Sequence, residues 1–425
     1  MSGPRDMSPV VALAVQGGLY LLVASIPFEY PERTIPLEIP TLTATLFLLG
    51  TMLHPGRCYG RLPAPVLWFV AYLLVYLLAI VVEGEHRSEA LSEFIVVLQG
   101  VLVLLAAGNL MKDERVATRV MLVFVAACAV RAALPLLGLA RTASTVWTGG
   151  ERVSALGQNA NSAAMILAAG SVALIGLAYG HRNKTARGVL LTGALGVLLG
   201  FAVLETGSRG GLVALVGGVL VFALAADTWR ARLRKMAIGL LAVSVLLAGA
   251  LQLPVMKNRW EDSMRTGNLA GREQLYPALW TMFLEKPALG WGPVTNRYEL
   301  AERIGERERT HRAAHNIVLE LLSASGLVGA LPFLIGGGLC ARAAWRARRS
   351  SHGVLPIALL VSVLLSNMSG DWIASKLIWI VLAFAYASGQ WQPVAGRLPS
   401  AIGARPPSAR MLLPVAARTH SARGR

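Results

Sequence analysis

Apolar runs of membrane-spanning length constrain this chain more than any other feature. A helix that crosses the hydrocarbon of a bilayer needs about 20 mainly apolar residues. With 55% hydrophobic and only 15% charged residues, the chain is too apolar for one soluble core. The sequence predicts an all-α integral membrane protein with about twelve transmembrane helices, at residues 9–27, 37–54, 63–82, 91–110, 116–138, 159–180, 187–205, 209–226, 236–253, 327–345, 354–368 and 372–390.

The distribution of basic residues predicts the orientation of the bundle. When the helices are numbered from an inside N-terminus, the short inner connections are rich in Lys and Arg. The short outer connections carry only Arg33, Arg87, Arg141 and Arg152. This asymmetry follows the positive-inside rule and places both termini in the cytoplasm. Most of the formal net charge of +17 is therefore explained by the basic residues that set the membrane orientation. We expect no nucleic-acid partner.

The predicted organisation has four parts. Residues 1–253 hold nine helices, 254–326 form one long outer loop with amphipathic helices, 327–390 hold three more helices, and 391–425 form a basic cytoplasmic tail. The Arg-, Ala- and Pro-rich tail is expected to be disordered and to contact anionic membrane lipid. An outer loop as long as 254–326 is more often functional than idle.

The long outer loop contains three distinct patterns. The stretch "GREQLYPALWTMFLEKPALGWG" predicts an amphipathic helix that ends at Pro287, with an apolar face formed by Leu275, Leu279, Met282 and Phe283. The next stretch, "NRYELAERIGERERTHR", is charged on nearly all sides and predicts a solvated helix or a mobile flap. The last, "AAHNIVLELLSASG", predicts a short helix that packs onto the bundle before Gly326.

Four outer segments carry polar groups that form a candidate site. They contribute Arg152 before helix six, Arg209 in "LETGSRGGLVAL", Arg272 in the loop, and His315 in "RTHRAAHN". Each has a plainer interpretation: Arg209 as a snorkelling arginine, Arg152 and Arg272 as surface charges, and His315 as an interface histidine. Supporting positions are Gln158, Asn161, His311, Arg312 and Asn316; Asn161 and its neighbour Asn159 are equally well explained as helix caps.

These residue types favour one kind of chemistry. Arginine binds phosphate in a bidentate manner and stays charged, so converging arginines suit a diphosphate whose negative charge grows as it leaves. Histidine can accept a proton from an attacking hydroxyl near neutral pH. The outer segments lack Asp-x-Asp and His-x-x-x-His spacings, so we expect no metal and no cofactor. The three cysteines, Cys58, Cys128 and Cys340, predict neither a disulfide nor a metal site.

The succession of "ERVSALGQNANSAA", "ETGSRGGLVAL", "GREQLYPALWTMFLEKPALGWG" and "HRAAHNIVLELLSASGLVG" resembles the O-antigen ligase and polymerase superfamily over residues 150–330. The resemblance implies a multi-pass, C-type glycosyltransferase-like enzyme of the bacterial inner membrane. It implies an undecaprenyl diphosphate-linked glycan as donor, used on the periplasmic face. The family's arginines correspond to Arg152, Arg209 and Arg272, and its histidine to His315. Ala160 departs from the family's pattern between the two asparagines.

Within that superfamily the sequence favours a ligase, which transfers finished glycan to lipid A core oligosaccharide. The chain has one long outer loop, whereas polymerases commonly have two. Members that glycosylate proteins often carry an added soluble C-terminal part, whereas here only a basic tail is expected after the last helix. A polymerase of O-antigen or exopolysaccharide is the second interpretation. A transporter of lipid-linked glycan is the alternative from another class. A transporter commonly has polar residues deep inside several helices and repeated halves, whereas here the centres of the apolar runs carry no charge apart from Arg131 and no repeat is visible. In the ligase interpretation His315 is the general base, with His311 as its rival.

Overall fold

The computed structural model describes most of the chain. The described residues are 9–29, 38–82, 85–145, 150–155, 158–180, 185–224, 228–252, 257–258, 261, 264–265, 271–306, 311–370 and 373–392. Nearly all of the predicted tail at 391–425, and much of the first part of the long loop, lie outside these ranges. The predicted division into four parts therefore stays a prediction.

The described residues fold almost entirely as helices, which confirms the predicted helical class. Every one of the twelve apolar runs coincides with a helix, although the boundaries differ. The helices are α1 (Pro9–Ser25), α2 (Ile39–Thr51), α3 (Pro55–Cys58), α4 (Ala64–Val82), α5 (Arg87–Leu110), α6 (Glu114–Ala133), α7 (Ala160–Gly180), α8 (Ala186–Glu205), α9 (Arg209–Leu224), α10 (Trp229–Gln252), α11 (Arg272–Glu285), α12 (Thr295–Arg303), α13 (Ile317–Arg346), α14 (Leu355–Asn367) and α15 (Lys376–Ser388).

The helices make the chain a multi-pass membrane protein by length and composition. Within the described ranges, seven helical segments are long and apolar enough to cross a bilayer: Val10–Phe28, Ala64–Val82, Arg87–Leu110, Glu114–Leu137, Ala160–Tyr179, Ala186–Glu205 and Ile317–Arg349. Helices α2, α9, α14 and α15 are apolar but shorter. The count of twelve spans stays a prediction.

Helix α15 lies at the centre of the bundle. Its residues are buried on nearly every face of the helix, and a helix in such a position is apolar all round. The Trp379 ring makes an edge contact with Phe69 of α4, with ring centroids 5.3 Å apart, and lies near Phe333 of α13 at 6.2 Å. On the opposite side, a Cβ added to Gly100 of α5 would overlap the same indole. The absence of a side chain at Gly100 is what lets α5 approach this closely.

Helix α13 is broken where the sequence predicts a boundary. Gly326 has φ 57° and ψ −163° inside the helix, so a short helix at 317–325 is set apart from the longer apolar part. The loop at 287–292 fills the break: the Leu327 N–H donates to the Pro287 carbonyl at 2.8 Å. The Trp291 N–H in turn donates to the Ser323 carbonyl, also at 2.8 Å. The backbone groups freed by the break are thus satisfied inside the protein, as the apolar surroundings require.

Helices α11 and α12 show one prediction confirmed and one corrected. The predicted apolar face of α11 is buried, with its four members at most 9% exposed. The solvated character predicted for "NRYELAERIGERERTHR" is wrong for α12, where Asn296, Leu300 and Ala301 are at most 2% exposed. The reason is that two of its charged side chains, Arg297 and Arg303, are paired with carboxylates of neighbouring helices, so the helix packs against the bundle.

The one sheet in the described ranges is an antiparallel hairpin. Its strands are β1 (Ala140–Thr145) and β2 (Gly150–Ala155), which join the end of α6 to the start of α7. The sequence did not predict these strands. Cys58, Cys128 and Cys340 are buried free thiols.

Candidate functional site

A cavity of about 520 Å³ opens where the loop segments 293–297 and 311–324 meet the ends of several spanning helices. This is the predicted outer end of the bundle. The cavity wall includes His311, His315, Asn159 and Asn161, four positions singled out from the sequence. It also includes five carboxylates that the sequence did not single out: Glu29, Glu38, Glu89, Glu93 and Glu320.

His315 has an unusual backbone conformation at this cavity. Its φ is 52°, the one positive φ of a non-glycine residue within the described ranges. Such a conformation costs of order 1 kcal/mol or more and persists where the surroundings hold it, often at functional sites. Two neighbours hold it here: Asn316 caps α13 through its Oδ1, which accepts from the Val318 and Leu319 N–H groups at 3.0 and 3.2 Å. The Tyr276 hydroxyl lies 3.3 Å from the His315 carbonyl oxygen.

Helix α11 places Arg272 against the turn that follows α14. The Arg272 guanidinium donates to the Ser369 carbonyl at 3.3 Å. The hydroxyl of Tyr276, one turn later, donates to the Met368 carbonyl at 2.9 Å. The turn after α14 therefore anchors the helix that carries Arg272, and the same tyrosine connects that turn to His315.

Arg209 approaches this turn from another side. It is half-buried and begins α9, directly before Gly210. A Cβ added to Gly210 would overlap the Ser369 hydroxyl, so the turn lies directly against the backbone of the "SRGG" segment. Arg209, Arg272 and His315 are thus gathered around residues 368–369. Neither arginine forms part of the wall of the cavity.

The supporting positions have local structural roles. Asn161 Oδ1 accepts from the Ser208 hydroxyl at 3.0 Å, which ties the start of α7 to the "SRGG" segment. Asn159 Oδ1 accepts from the Asn161 N–H at 2.8 Å, as a helix cap does. Gln158 is buried and accepts from the Arg131 guanidinium at 2.8 and 3.0 Å. The one charge that the sequence placed deep in an apolar run is therefore hydrogen-bonded inside the bundle.

Arg152 lies at the edge of what the structure describes. Its backbone is in β2, where it pairs with Ala143. Its side chain lies outside the described part of the structure, so its role stays a prediction from the sequence. The roles assigned to Arg209, Arg272 and His315 are predictions as well, although the structure places these three residues close together.

Arg297 of α12 holds an ion-pair network that sequence reasoning missed. Its guanidinium pairs with Glu93 of α5 and with Glu320 of α13, the latter at 3.3 Å. The side chains of Arg297 and Glu93 are 22% and 23% exposed, and that of Glu320 is 5% exposed. Charged groups inside spanning helices are rare and commonly functional. Glu93, near the start of the predicted span at 91–110, and Glu320, in the predicted short helix before Gly326, were the available signal.

The two remaining predicted positions, His311 and Arg312, follow α12 in sequence. His311 is exposed at the cavity rim, and its ring centroid lies 6.0 Å from that of Tyr298. The Tyr298 hydroxyl donates to Glu89 at 3.0 Å; burial, followed by this hydrogen bond, raises the pKa of that phenol. Arg312 is buried and forms an ion pair with Glu306 at 3.3 Å. Arg312 therefore stabilises the loop instead of facing the cavity.

The arrangement can support acid–base chemistry beside a patch of positive charge. His315 supplies a group able to exchange a proton near neutral pH. Arg209 and Arg272 each carry a guanidinium group and belong to segments that lie against the turn at residues 368–369. Within the described ranges no cluster of three or more His, Cys, Asp or Glu side chains has an arrangement that would hold a metal ion.

Comparison with known proteins agrees with the resemblance noted in the sequence. Residues 194–334 match the family model described as O-antigen ligase. This segment runs from within α8 to within α13 and includes Arg209, Arg272 and His315, whereas Arg152 precedes it. A search of the curated proteins found no match. Over residues 194–334 the chain is therefore similar to the O-antigen ligase family, in agreement with the resemblance to the ligase and polymerase superfamily.

Proposed function

We propose that this protein is an O-antigen ligase of the bacterial inner membrane. It transfers glycan from undecaprenyl diphosphate to lipid A core oligosaccharide at the periplasmic face, with inversion and without a metal ion. The observation that carries the proposal is the position of His315. This residue has a left-handed backbone, lines the cavity, and is connected through Tyr276 to the turn that binds Arg272. The family match over the same segment supports glycan transfer.

In the proposed reaction His315 is the general base. It takes the proton of an acceptor hydroxyl while that oxygen forms a bond to the anomeric carbon of the donor glycan. The bond from the anomeric carbon to the diphosphate oxygen breaks, and the electron pair leaves with undecaprenyl diphosphate. Arg209 and Arg272, with Arg152, stabilise the charge that grows on this leaving group. Attack from the face opposite the diphosphate inverts the anomeric configuration.

The proposal is tested with purified protein, radiolabelled lipid-linked glycan and lipid A core in detergent. A ligase moves the label to the core without changing the length of the glycan. A polymerase, the second interpretation, lengthens glycan that remains on the lipid. A transporter moves lipid-linked glycan across a bilayer and leaves the covalent bond intact, so it produces neither product.

A further inference from the structure

We infer that the 520 Å³ cavity is a subsite for an uncharged sugar ring and that the diphosphate binds outside it, beside Arg209 and Arg272. The inference rests on the proposed function and extends it by dividing the substrate between two differently charged regions. One region is the carboxylate-lined cavity defined above. The other is the arginine patch, which we define as Arg209 and Arg272 with the turn at residues 368–369.

The charge of the cavity argues against a diphosphate inside it. Five carboxylates line the cavity, and among the described lining residues Arg297 is the one arginine or lysine. Its guanidinium is already engaged by two of those carboxylates, Glu93 and Glu320. Like charges within a few ångströms repel strongly when they are partly removed from water. A group with two or three negative charges is therefore expected to stay at the arginine patch.

The same carboxylates suit the hydroxyl groups of a sugar. An ionised carboxylate is an acceptor only, with about four lone-pair positions, so it can accept from a ligand in addition to its protein donors. Hydrogen bonds to a charged acceptor are stronger than those between neutral groups. Asn161, also in the wall, has an amide that can both donate and accept.

A buried hydroxyl gives an independent sign of a ligand. Ser162 of α7 lines the cavity and is 2% exposed, and its Oγ has no hydrogen-bond partner in the structure. Buried hydroxyls are normally hydrogen-bonded, because leaving one unsatisfied costs about 1–3 kcal/mol. A sugar hydroxyl or ring oxygen deep in the cavity would satisfy this group. Ser171, about two and a half turns further along the same helix, donates to the Leu167 carbonyl of its own helix at 2.8 Å.

The walls and position of the cavity fit the same occupant. Tyr72 and Tyr76 contribute rings that are at most 4% exposed, and Pro293 adds a further apolar surface. A sugar presents apolar C–H faces as well as hydroxyls, so mixed walls of this kind match it. His315 lines the cavity and lies beside the arginine patch. It is therefore at the boundary where the bond between sugar and diphosphate would lie.

Direct binding tests this division. The probes are inorganic diphosphate and the donor glycan released from its lipid and freed of phosphate, titrated calorimetrically into detergent-solubilised protein. We expect Glu93→Gln to weaken glycan binding about tenfold and Ser162→Ala to weaken it about two- to tenfold, in line with the loss of one hydrogen bond. Diphosphate binding should be unchanged by Ser162→Ala and weakened by Arg209→Lys. Ser171→Ala is the matched control and should bind both probes as the wild type does.

The outcomes separate the subsite from the proposed function. Glycan binding that both Glu93→Gln and Ser162→Ala leave unchanged would overturn the subsite. Ser162→Ala leaves the Arg297 network intact, so it remains informative even if Glu93→Gln fails to fold. Transfer activity together with insensitive glycan binding overturns the subsite alone. Sensitive glycan binding in a protein that transfers no glycan supports the subsite and counts against the ligase.

A second arm identifies which sugar occupies the cavity. The same titrations are run with core oligosaccharide stripped of its lipid and phosphates. Binding of either glycan with the expected sensitivity to Ser162→Ala supports the subsite, and the one that binds identifies the donor or the acceptor as the source of the ring. Binding of neither overturns the subsite.

Discussion

The arginine patch and the carboxylate-lined cavity are neighbours with opposite charge. The patch holds Arg209 and Arg272 around the turn at residues 368–369. The cavity holds five carboxylates around Arg297, and His315 lies where the two regions meet. The predicted arginine site and the cavity are therefore adjacent regions that differ in charge. The structure favours a division between the part of a substrate that carries charge and the part that carries hydroxyl groups.

The largest expected effect comes from the residue at the boundary. His315→Asn should lower turnover about 10²- to 10⁴-fold, the usual contribution of a positioned base. Asparagine is the preferred replacement because it tolerates the left-handed backbone better than alanine does. The measurement is the single-turnover rate of glycan transfer, with donor binding determined in parallel. Donor binding should stay close to that of the wild type.

His311→Asn is the matched control for that experiment, because His311 lines the same cavity at its exposed rim. It should keep nearly full turnover. Loss of transfer in His311→Asn with retention in His315→Asn would exchange the two assignments. Full activity in both variants would show that neither histidine is the general base and that the arginines alone carry the chemistry.

The arginine patch should be sensitive to the shape of its side chains as well as to their charge. Arg209→Lys keeps the positive charge but loses the planar fork, so we expect kcat/KM for the donor to fall roughly 10- to 150-fold, or about 1.5–3 kcal/mol. Arg303→Lys is the control, because Arg303 lies on α12 and pairs with Glu285 and Glu299. Equal kinetics for Arg209→Lys and wild type would reduce Arg209 to a snorkelling arginine.

The break in α13 fixes how the two regions are placed, because the short helix that follows His315 carries Glu320. Gly326→Ala should destabilise the protein by about 1–3 kcal/mol or more, since alanine is strained at φ 57° and its Cβ would overlap the Ala288 carbonyl. Thermal unfolding in detergent measures the change. Gly337→Ala on the same helix has open space at the Cβ and should be neutral or slightly stabilising. Equal losses in both variants would contradict the role of the break.

The smallest effect concerns the link between the helices of the two regions. Glu285 of α11 pairs with Arg303 of α12 at 2.6 Å, and this hydrogen bond lowers the pKa of the Glu285 carboxyl. A lowered pKa means that the link stabilises the protein near neutral pH and is lost as the pH falls through that pKa. Glu285→Gln should lower Tm slightly at pH 7, with the difference from wild type disappearing in acid. A difference that grows on acidification would contradict the pairing.

The sequence predicted the regular parts of this molecule well. Apolar length predicted each of the seven candidate spans in the described residues, and the spacing of Leu275, Leu279 and Met282 predicted the buried face of α11, because both signals are local in the sequence. The gathering of Arg209, Arg272 and His315 was anticipated only as a shared side of the membrane. The turn at residues 368–369 falls between two predicted helices, but its contacts with Arg272, Tyr276 and the Gly210 backbone join distant segments and have no local signal in the sequence.

The carboxylate-lined cavity was not predicted, and the reason is physical. Glu93, Arg297 and Glu320 come from three separate segments, and no one of these segments identifies its partners by sequence alone. Only the fold reveals that the half-buried Glu93 and the buried Glu320 share one guanidinium. Similarly, the sequence of α12 predicts a solvated helix because charged residues appear on all of its faces. The carboxylates that pair with these charges and allow the helix to pack lie in other segments of the sequence.

The most direct test of this account is the transfer of labelled glycan to lipid A core by the purified protein, in detergent and with a chelator present. The account predicts that each core receives one glycan of unchanged length with inverted anomeric configuration, and that His315→Asn reduces this transfer while His311→Asn does not. Label that stays on the lipid, whether lengthened or unchanged, would contradict it.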